Sequence, residues 1–452
     1  EVVVTARKRE ESMQDVPMSI SALNAAQIEA LKIQNVTDLS VRLPNVAMDD
    51  LATTRGTANF SIRGLGINSS IPSIDPTVGL FVDGVYMGAN NGVIMDTFDL
   101  ESVQVLRGPQ GILFGRNVTG GAVLLNTRKP TDEFAFRVRS SVDTGDNGGL
   151  NSALTATVSG PLTPTVKAKL TAHYRDDEGW YENQFDGERM GAAEQILIRP
   201  SVMWTPAEDL EMILRYEHAD LEGDGPATQN HINGSGVPGA FYSARRDSHD
   251  FSIDEPGFGE SEAHFIAFEI NYGVGDNGTL TNIFGYRDYQ GRALSDIDGQ
   301  PVWLFHAPSF LDAEQFSNEL RFNTLVAARA NVTTGVYWFS NDVDYHERRE
   351  LVGIATGGVA PGVTFDGGGL YDVETYALFG SLDFDLGEHW MLTAGLRYTY
   401  EEKKARIASL SRNINPPCNI VEPSVTEPEC PFDFVDDDDS KSWSPKLGVT
   451  WN

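Results

Sequence analysis

The feature that most restricts the fold is a set of segments in which apolar and polar residues alternate one for one. Val166, Ala168, Leu170, Ala172 and Tyr174 interleave with Lys167, Lys169, Thr171, His173 and Arg175. Phe134, Phe136, Val138 and Val142 do the same with Arg137, Arg139, Ser141 and Asp143. So do Phe316, Leu320 and Phe322 with Gln315, Ser317, Glu319 and Arg321, and Trp390, Leu392, Ala394, Leu396 and Tyr398 with Thr393, Gly395, Arg397 and Thr399. Successive side chains of a strand point to opposite faces, so each segment reads as a strand with one oily and one charged face.

About twelve such strands are expected, near 134–143, 150–160, 166–176, 194–204, 210–218, 263–273, 279–289, 313–324, 330–340, 374–385, 390–400 and 443–452. Short turns follow the even-numbered ones, at 161–165, 205–209, 274–278, 325–329 and 386–389. Long loops follow the odd-numbered ones from the third, at 177–193, 219–262, 290–312, 341–373 and 401–442. A soluble sandwich also alternates, but it has no reason to sort its connections by parity. A membrane β-barrel does, with turns at one rim and loops at the other. Tyr174, Trp204, Tyr216, Trp338 and Tyr398 fall near strand ends, where interfacial aromatics belong.

Charge and composition narrow the class. With 34 basic and 65 acidic residues the net charge is -31, which argues against a nucleic-acid partner, because such surfaces are basic. The 44 Gly, 14 Tyr and 23 Phe suit strands and turns. No stretch reaches the 18 or so apolar residues of a membrane helix. The sequence opens at Glu1 with neither Met nor a signal segment, so a targeting peptide is expected to have been removed or left out. Cys418 and Cys430 lie in a Pro-rich polar stretch without a nearby His. A zinc site needs more ligands, and the reading is a loop disulfide in an oxidising compartment, against two free thiols.

Residues 12–130 read differently, as an α+β domain. Asn24 and Gln27, flanked by Leu23 and Ile28, form a capping box and staple that start a short helix running to about Lys32. Thr37 is expected to cap a second helix that Pro44 stops. Gly79–Val82 and Val85–Met87 meet at Asp83-Gly84, a two-residue hairpin signal. Ser102–Leu106 and Ala122–Asn126 are further strands. A domain of this size cannot fit inside a twelve-strand barrel, whereas plugged barrels run to about 22 strands. The fold expected is therefore an antiparallel membrane β-barrel, 131–452 supplying its N-terminal half and the other half missing, with the α+β domain in the lumen.

At this point the residues carry a family resemblance. The segment DLESVQVLRGPQGILFGRNVTGGAVLLNTRKP, Asp99 to Pro130, is similar in order and spacing to the plug of TonB-dependent outer-membrane receptors. NFSIRGLG at 59–66 resembles the family's IRG segment, and VGLFVDGVY at 78–86 its central hairpin. In the wall, SNELRF at 317–322, YALFGSLDF at 376–384 and LTAGLRYTYE at 392–401 resemble the family less specifically. The resemblance covers essentially the whole chain.

It implies roles. Val2, Val3, Val4, Thr5 and Ala6 resemble the TonB box, a β-branched segment able to add as a strand to a partner's sheet edge. The alternative is an ordinary first strand of the plug. Residues 7–11 would follow the box as a polar linker. The family's matching arginines, here Arg63 and Arg107, pair with barrel carboxylates and lock the plug, whereas surface arginines would simply be solvated. Gly66, Ile67, Asn68, Ser69 and Ser70 match a substrate-facing loop, and Asn90 and Asn91 another; both could equally be solvated turns. Arg245 and Arg246 would suit an anionic ferric chelate, and Trp180, Tyr181, Phe241, Tyr242, Trp303 and Phe305 a binding mouth. Gly108, Gly111, Gly115, Gly120 and Gly121 lack the Gly-Lys-Ser/Thr of a phosphate loop and read as tight-turn positions. Asp436–Asp439 could hold a divalent cation or be a solvated loop.

The function implied is TonB-dependent import of a ferric siderophore across the outer membrane of a Gram-negative bacterium. No resident cofactor or protein-bound metal is expected, the iron travelling within the chelate. Expected partners are the TonB C-terminal domain with its inner-membrane complex, outer-membrane lipid and lipopolysaccharide, and a small-molecule ligand. Cobalamin, haem, nickel complexes and oligosaccharides remain alternative cargoes, and a passive porin or a signalling receptor alternative classes. No HExxH, Gly-x-Ser-x-Gly or Cys/His set suggests an enzyme.

Overall fold

The computed structural model describes residues 3–9, 11–50, 56–67, 69, 71–92, 99–145, 148–231, 242–327, 329–352, 363–387, 389–413 and 417–451. Near the N-terminus, β1 (Val3–Val4) pairs antiparallel with β2 (Glu11–Ser12). Then β3 (Ile20–Asn24) feeds α1 (Ala25–Ala30). Asn24 accepts the Gln27 N–H at 2.9 Å while the Gln27 side chain accepts the Asn24 N–H at 3.0 Å, the capping box that the residue spacing predicts. The second cap is Asn35 instead of Thr37. Its backbone is extended (φ -137°, ψ 174°), so its carboxamide oxygen accepts from the N–H groups of Thr37 and Asp38. Thr37 lies already inside the 3-10 turn, two residues past the cap position. That turn runs into α2 (Leu39–Arg42), which ends just before Pro44.

Next come β4 (Val46–Asp50), β5 (Ala58–Ile62), β6 (Leu65–Gly66), β7 (Val78–Val82), β8 (Val85–Tyr86), β9 (Leu100–Arg107), α3 (Gly111–Phe114) and β10 (Gly121–Thr127). One sheet has the order β3-β9-β10-β7-β8, with β10 and β7 parallel; β4, β5 and β6 form another. Asp83 (φ 48°) and Gly84 (φ 84°) are both left-handed, as a two-residue primed turn demands. Ile33, Val36, Leu39, Met48, Ile62, Val105 and Val123 form the core beneath these sheets.

The rest is one antiparallel sheet of twelve strands in sequence order. They are β11 (Ala135–Gly145), β12 (Gly148–Thr163), β13 (Val166–Glu182), β14 (Arg189–Ala207), β15 (Leu210–Gly223), β16 (Phe258–Val274), β17 (Gly278–Asp296), β18 (Phe305–Val326), β19 (Ala330–Leu351), β20 (Val363–Asp385), β21 (Trp390–Asn413) and β22 (Phe434–Trp451). Among the described residues no pairing joins β11 to β22, so the sheet is open. Each expected strand is present, but most run further at the loop end. The alternation stops being legible there because the outward face turns polar (Asp288, Gln290 and Arg292 on β17; Asp312 and Glu314 on β18), while the ladder of backbone pairs continues. Asp436–Asp439 accordingly lies in β22, opposite 402–405 of β21, and not in a loop.

The two faces of this wall are inverted relative to a soluble sheet. Leu170 is 45% exposed and its neighbour Lys169 only 4%. Arg199, Arg215, Arg287, Gln315, Glu319 and Arg397 are likewise buried, while Leu154, Val202, Leu214, Val336, Leu378 and Leu396 are exposed. The charged face packs on the N-terminal domain, whose core runs into Phe265, Ala267 and Ile283 of the wall. An oily face turned outward requires a non-aqueous neighbour. Aromatics bound the oily band: Trp204, Tyr272, Trp390 and Trp451 toward the turns, and the cross-strand neighbours Trp338, Tyr376, Tyr400 and Tyr398, Trp443 toward the loops. Trp390 and Tyr400 are about ten residues apart, roughly 33 Å along a strand. A tilt of about 40° reduces that to about 25 Å, the height of a lipid-facing band.

Candidate functional site: the lock between the N-terminal domain and the wall

The N-terminal segment does not stand free. Val4 and Ala6 are fully buried in a cluster with Phe81, Tyr86, Leu106 and Phe114. The Thr5 N–H donates to the Gln104 side-chain oxygen at 2.9 Å, and the Gln104 amide returns a 3.3 Å bond to the Thr5 hydroxyl. Val3 alone is exposed; Val2 lies outside the described residues.

The stretch expected to be a solvated linker is instead riveted to the wall. Arg7 donates to Glu11 (2.7 Å) and to Asp383 (3.0 Å), Arg9 to Asp383 (2.8 Å), and Lys8 to Glu319 (3.2 Å). Lys8 also sits 4.8 Å from the centre of the Phe114 ring. Burial pushes the Lys8 amine below its usual value, against the pull of Glu319. The polar composition suggested solvent because the partners lie more than 300 residues away in sequence.

These contacts also fix the orientation. Asp383 is two residues from the end of β20, at the short-turn rim. At the other end, Asp75 accepts from Arg116 (2.7 Å), Asn117 (3.1 Å) and Lys403 (2.5 Å), and Lys403 lies far along β21 toward the loops. The chain's start therefore faces the turns, and residues around Asp75 form an apex facing the loops.

Between the two ends the domain docks by acids on wall cations. Asp99 meets Lys169 at 2.6 Å and Arg199 at 3.6 Å, all three buried. Arg199 is held in turn by Glu217, its Nε donating at 2.7 Å. Asp83 accepts from the Thr127 N–H and hydroxyl, both at 2.8 Å, and lies 3.6 Å from Arg215, which also reaches Glu269 at 3.2 Å. Gln315 holds the chain leaving β8, donating to the Tyr86 carbonyl (2.6 Å) and accepting from the Gly88 N–H (2.7 Å).

The lock expected through Arg63 and Arg107, whose barrel partners could lie beyond Asn452, is not made by the wall described. Arg107 donates to the Ser21 hydroxyl (2.8 Å) and the Pro44 carbonyl (3.3 Å), and Arg63 is exposed with φ 54°. Among the described residues neither pairs with a wall carboxylate. Burial, and then the neighbouring Arg63 charge, push the Arg107 guanidinium below its usual value. The expected polarity, a cation of the domain on a wall carboxylate, is met by Arg7, Lys8 and Arg9, while Asp83 and Asp99 pair in the opposite sense.

The expected ligand-facing residues are only partly available. Gly66 is exposed, Ile67 and Ser69 are half-buried, and the Ser69 hydroxyl accepts the Ile71 N–H at 3.1 Å; Asn68 and Ser70 lie outside the described residues. Asn90 is half-buried, its carbonyl accepting from Ala58. Asn91 is spent internally: it is buried, donates to Thr57 (3.0 Å) and accepts from Arg287 at its carbonyl. Arg245 and Arg246 are exposed, and Arg245 is engaged by Asp247 at 2.6 Å. Trp180 and Tyr181 pack with His249, and Tyr181 with Phe251, as a small loop core. Tyr242 donates to Gln184, and Trp303 stacks on His306; Phe241 lies outside the described residues. Cys418 and Cys430 are joined as a disulfide.

Comparison with known families decides the identity. Residues 12–122 match the TonB-dependent Receptor Plug Domain model, and residues 204–452 match the model "TonB dependent receptor-like, beta-barrel". The chain belongs to the TonB-dependent receptor family.

The ferrioxamine B receptor of Salmonella typhimurium is 25% identical to this receptor chain over 349 residues, covering 72% of it and 47% of the relative. The ferripyoverdine receptor of Pseudomonas aeruginosa is 28% identical over 187 residues, covering 40% and 21%. The chain spans about half the length of the first of these relatives. The siderophore receptor PiuA of Acinetobacter baumannii superposes with a TM-score of 0.75 at 14% identity, over 99% of this chain and 64% of that one. The ferric yersiniabactin uptake receptor FyuA of Yersinia pestis gives 0.70 at 16%, over 96% and 61%. At such identities the structural likeness carries the fold alone.

Within the receptor, the locking residues missed by the sequence reading include Asp75, Asp83, Asp99, Lys169, Arg199 and Arg215, besides the rivets of Arg7, Lys8 and Arg9. A signal was present for the wall members. Lys169, Arg199 and Arg215 stand on the polar side of the alternation close to the short turns, the face that a membrane wall turns inward.

Proposed function

We propose that the complete receptor imports a ferric siderophore across the outer membrane of a Gram-negative bacterium, drawing energy from the TonB C-terminal domain. One observation carries the reading: the chain's first strand is docked at the turn rim, at the opposite end of the plug from the apex. A partner reaching that rim can grip residues 2–6 as an added strand. Tension then falls first on Arg7–Asp383, Arg9–Asp383 and Lys8–Glu319. Charge pairs held within the lumen resist thermal fluctuation but separate under a pull along the chain. The oily belt takes outer-membrane lipid and lipopolysaccharide as its neighbours, and the ferrioxamine B and ferripyoverdine receptors among the relatives support the cargo class. The work is transport and not catalysis.

Val3→Pro in the full-length receptor tests this. Val3 pairs with Ser12 and its side chain is exposed, so the change removes a ladder donor without emptying the core. Uptake of the labelled ferric chelate should be lost while binding at the cell surface persists. Uptake at the parental rate would remove the strand-addition reading.

A further inference from the structure

Three segments beyond the oily band converge on one polar cage. Asp296 ends β17 and stands directly across from His306 of β18. Asp254 belongs to the long connection between β15 and β16, and its N–H donates to the Gln300 carbonyl at 3.2 Å. His306 Nε2 lies 3.4 Å from Asp254 Oδ1 and 3.9 Å from Asp296 Oδ2, and the three donor atoms all fall within 4.8 Å of one another. Asp296 is 1% exposed. Its Oδ1 accepts the Gly299 N–H at 2.8 Å, but its Oδ2 is buried, faces His306 and has no hydrogen-bond partner.

Among the described residues, the surroundings add negative charge and no Lys or Arg partner. Asp298 spends its oxygens on the N–H groups of Gln300 (2.9 Å), Leu304 (3.2 Å) and Phe305 (2.6 Å). Among the described residues no Lys or Arg pairs with Asp254 or Asp296. A buried carboxylate oxygen without a partner is costly and calls for a counter-charge. The cage is also braced: Trp303 stacks on the His306 ring at 5.6 Å, and the Thr228 hydroxyl donates to the Asp296 carbonyl at 2.7 Å.

We propose that Asp254, Asp296 and His306 bind one divalent first-row transition ion of the Zn2+ class, stapling the β15–β16 connection to the β17–β18 hairpin. Two carboxylates and a neutral imidazole sum to the charge that one dication balances. Zinc takes nitrogen at about 2.0–2.1 Å and carboxylate oxygen at about 2.0–2.2 Å. Tetrahedral ligands at those lengths stand roughly 3.3 Å apart, against 3.4 Å from His306 to Asp254 and 3.9 Å to Asp296, so the site closes by a small inward shift of Asp296, with a fourth position left for water. An imidazole in the set favours such an ion over calcium, which takes six to eight oxygens. A proton is the competing occupant: burial, with Asp298 and Asp254 close by, lifts Asp296 to about 7. The staple is independent of the cargo and of the energy source.

Calorimetric titration of the chelator-stripped full-length receptor with zinc chloride tests the proposal. It is run at pH 7.5 in detergent, in a His264→Ala background that removes the separate His218, Glu262, His264 group on the wall's outer face. One zinc per molecule is expected. Asp296→Asn and His306→Ala should each weaken binding beyond the roughly 10–100-fold that loss of a mere outer-shell partner costs. Asp296→Asn keeps the shape of the side chain, and the heat-shifted gel mobility of a folded barrel verifies each variant. Cobalt in place of zinc should give a visible absorption band that His306→Ala abolishes. Absence of zinc binding to the background receptor, or a zinc affinity in both variants that stays within about 100-fold of the background's, overturns the proposal.

Discussion

Asp99→Asn should loosen the plug from its wall, and the size of the effect follows from the geometry. Asp99 and Lys169 approach to 2.6 Å, each side chain 2% exposed. Arg199 retains Glu217 when the Asp99 charge is removed, so the orphan is Lys169, left with the Arg128 carbonyl. Two unit charges 4 Å apart at an effective dielectric of about 20 attract by about 4 kcal/mol, and breaking one side of a buried pair costs about 3–5 kcal/mol. The remaining carbonyl and the new amide oxygen offset part of that, leaving about 3 kcal/mol, or roughly 100-fold in the docking equilibrium at 1.4 kcal/mol per decade. Amide hydrogen exchange of β9, measured by mass spectrometry on the full-length receptor in detergent, should accelerate by about that factor. Adding Lys169→Met should recover most of the loss. Unchanged exchange in Asp99→Asn, or a double variant whose losses merely add within about 0.5 kcal/mol, would refute the reasoning.

Gln104→Ala removes both bonds to Thr5; at about 1 kcal/mol for each neutral bond, about 2 kcal/mol together, the TonB domain should bind the receptor roughly 30-fold tighter by calorimetry, and equal affinity would show that Gln104 does not restrain the strand. Burial tends to raise the Asp75 carboxyl, but Arg116 and Lys403 outweigh it and hold the group below its ordinary value. A depressed carboxylate stabilises fully above its unfolded value, about 3.9, and loses that contribution as pH falls through the folded one. Exchange at residues 71–77 should therefore be insensitive to Asp75 ionisation between pH 5 and 8 and rise on acidification below about 4, a rise that Asp75→Ala should abolish. Leu170→Lys, on the oily face, should cost about 2–4 kcal/mol in lipid vesicles if the residue lies near mid-depth; a cost near zero in urea-folding titrations would place that face in water.

Much of the wall was legible because period two is a local property. Lys167 to Tyr174 announce a strand, the parity of the connections announces a barrel, and Asn24/Gln27 and Asp83-Gly84 write their own cap and turn. The strand ends at the loop rim were illegible, since beyond Tyr286 or Phe316 the outward face turns polar, at Asp288 and Gln290 or Glu314 and Asp312, and the oily stripe that marks a wall strand stops while the ladder continues. The Asn35 cap was missed because Thr37 has an equally good capping side chain, and only the backbone angles ahead of the turn decide between them.

By itself, then, the sequence determined the strands, their two-faced character and the α+β unit that precedes them. Alternation does not say which face is inside; burial of Lys169 beside exposed Leu170 decided that. Tertiary structure also decided the partners. Arg7 meets Asp383 across 376 residues and Lys169 meets Asp99 across 70, and a charge carries no record in its own neighbourhood of what it will neutralise. The same holds for Val4 and Ala6: their side chains suit a free strand or a core equally well, and only the packing of Phe81, Tyr86 and Phe114 around them put them in the core.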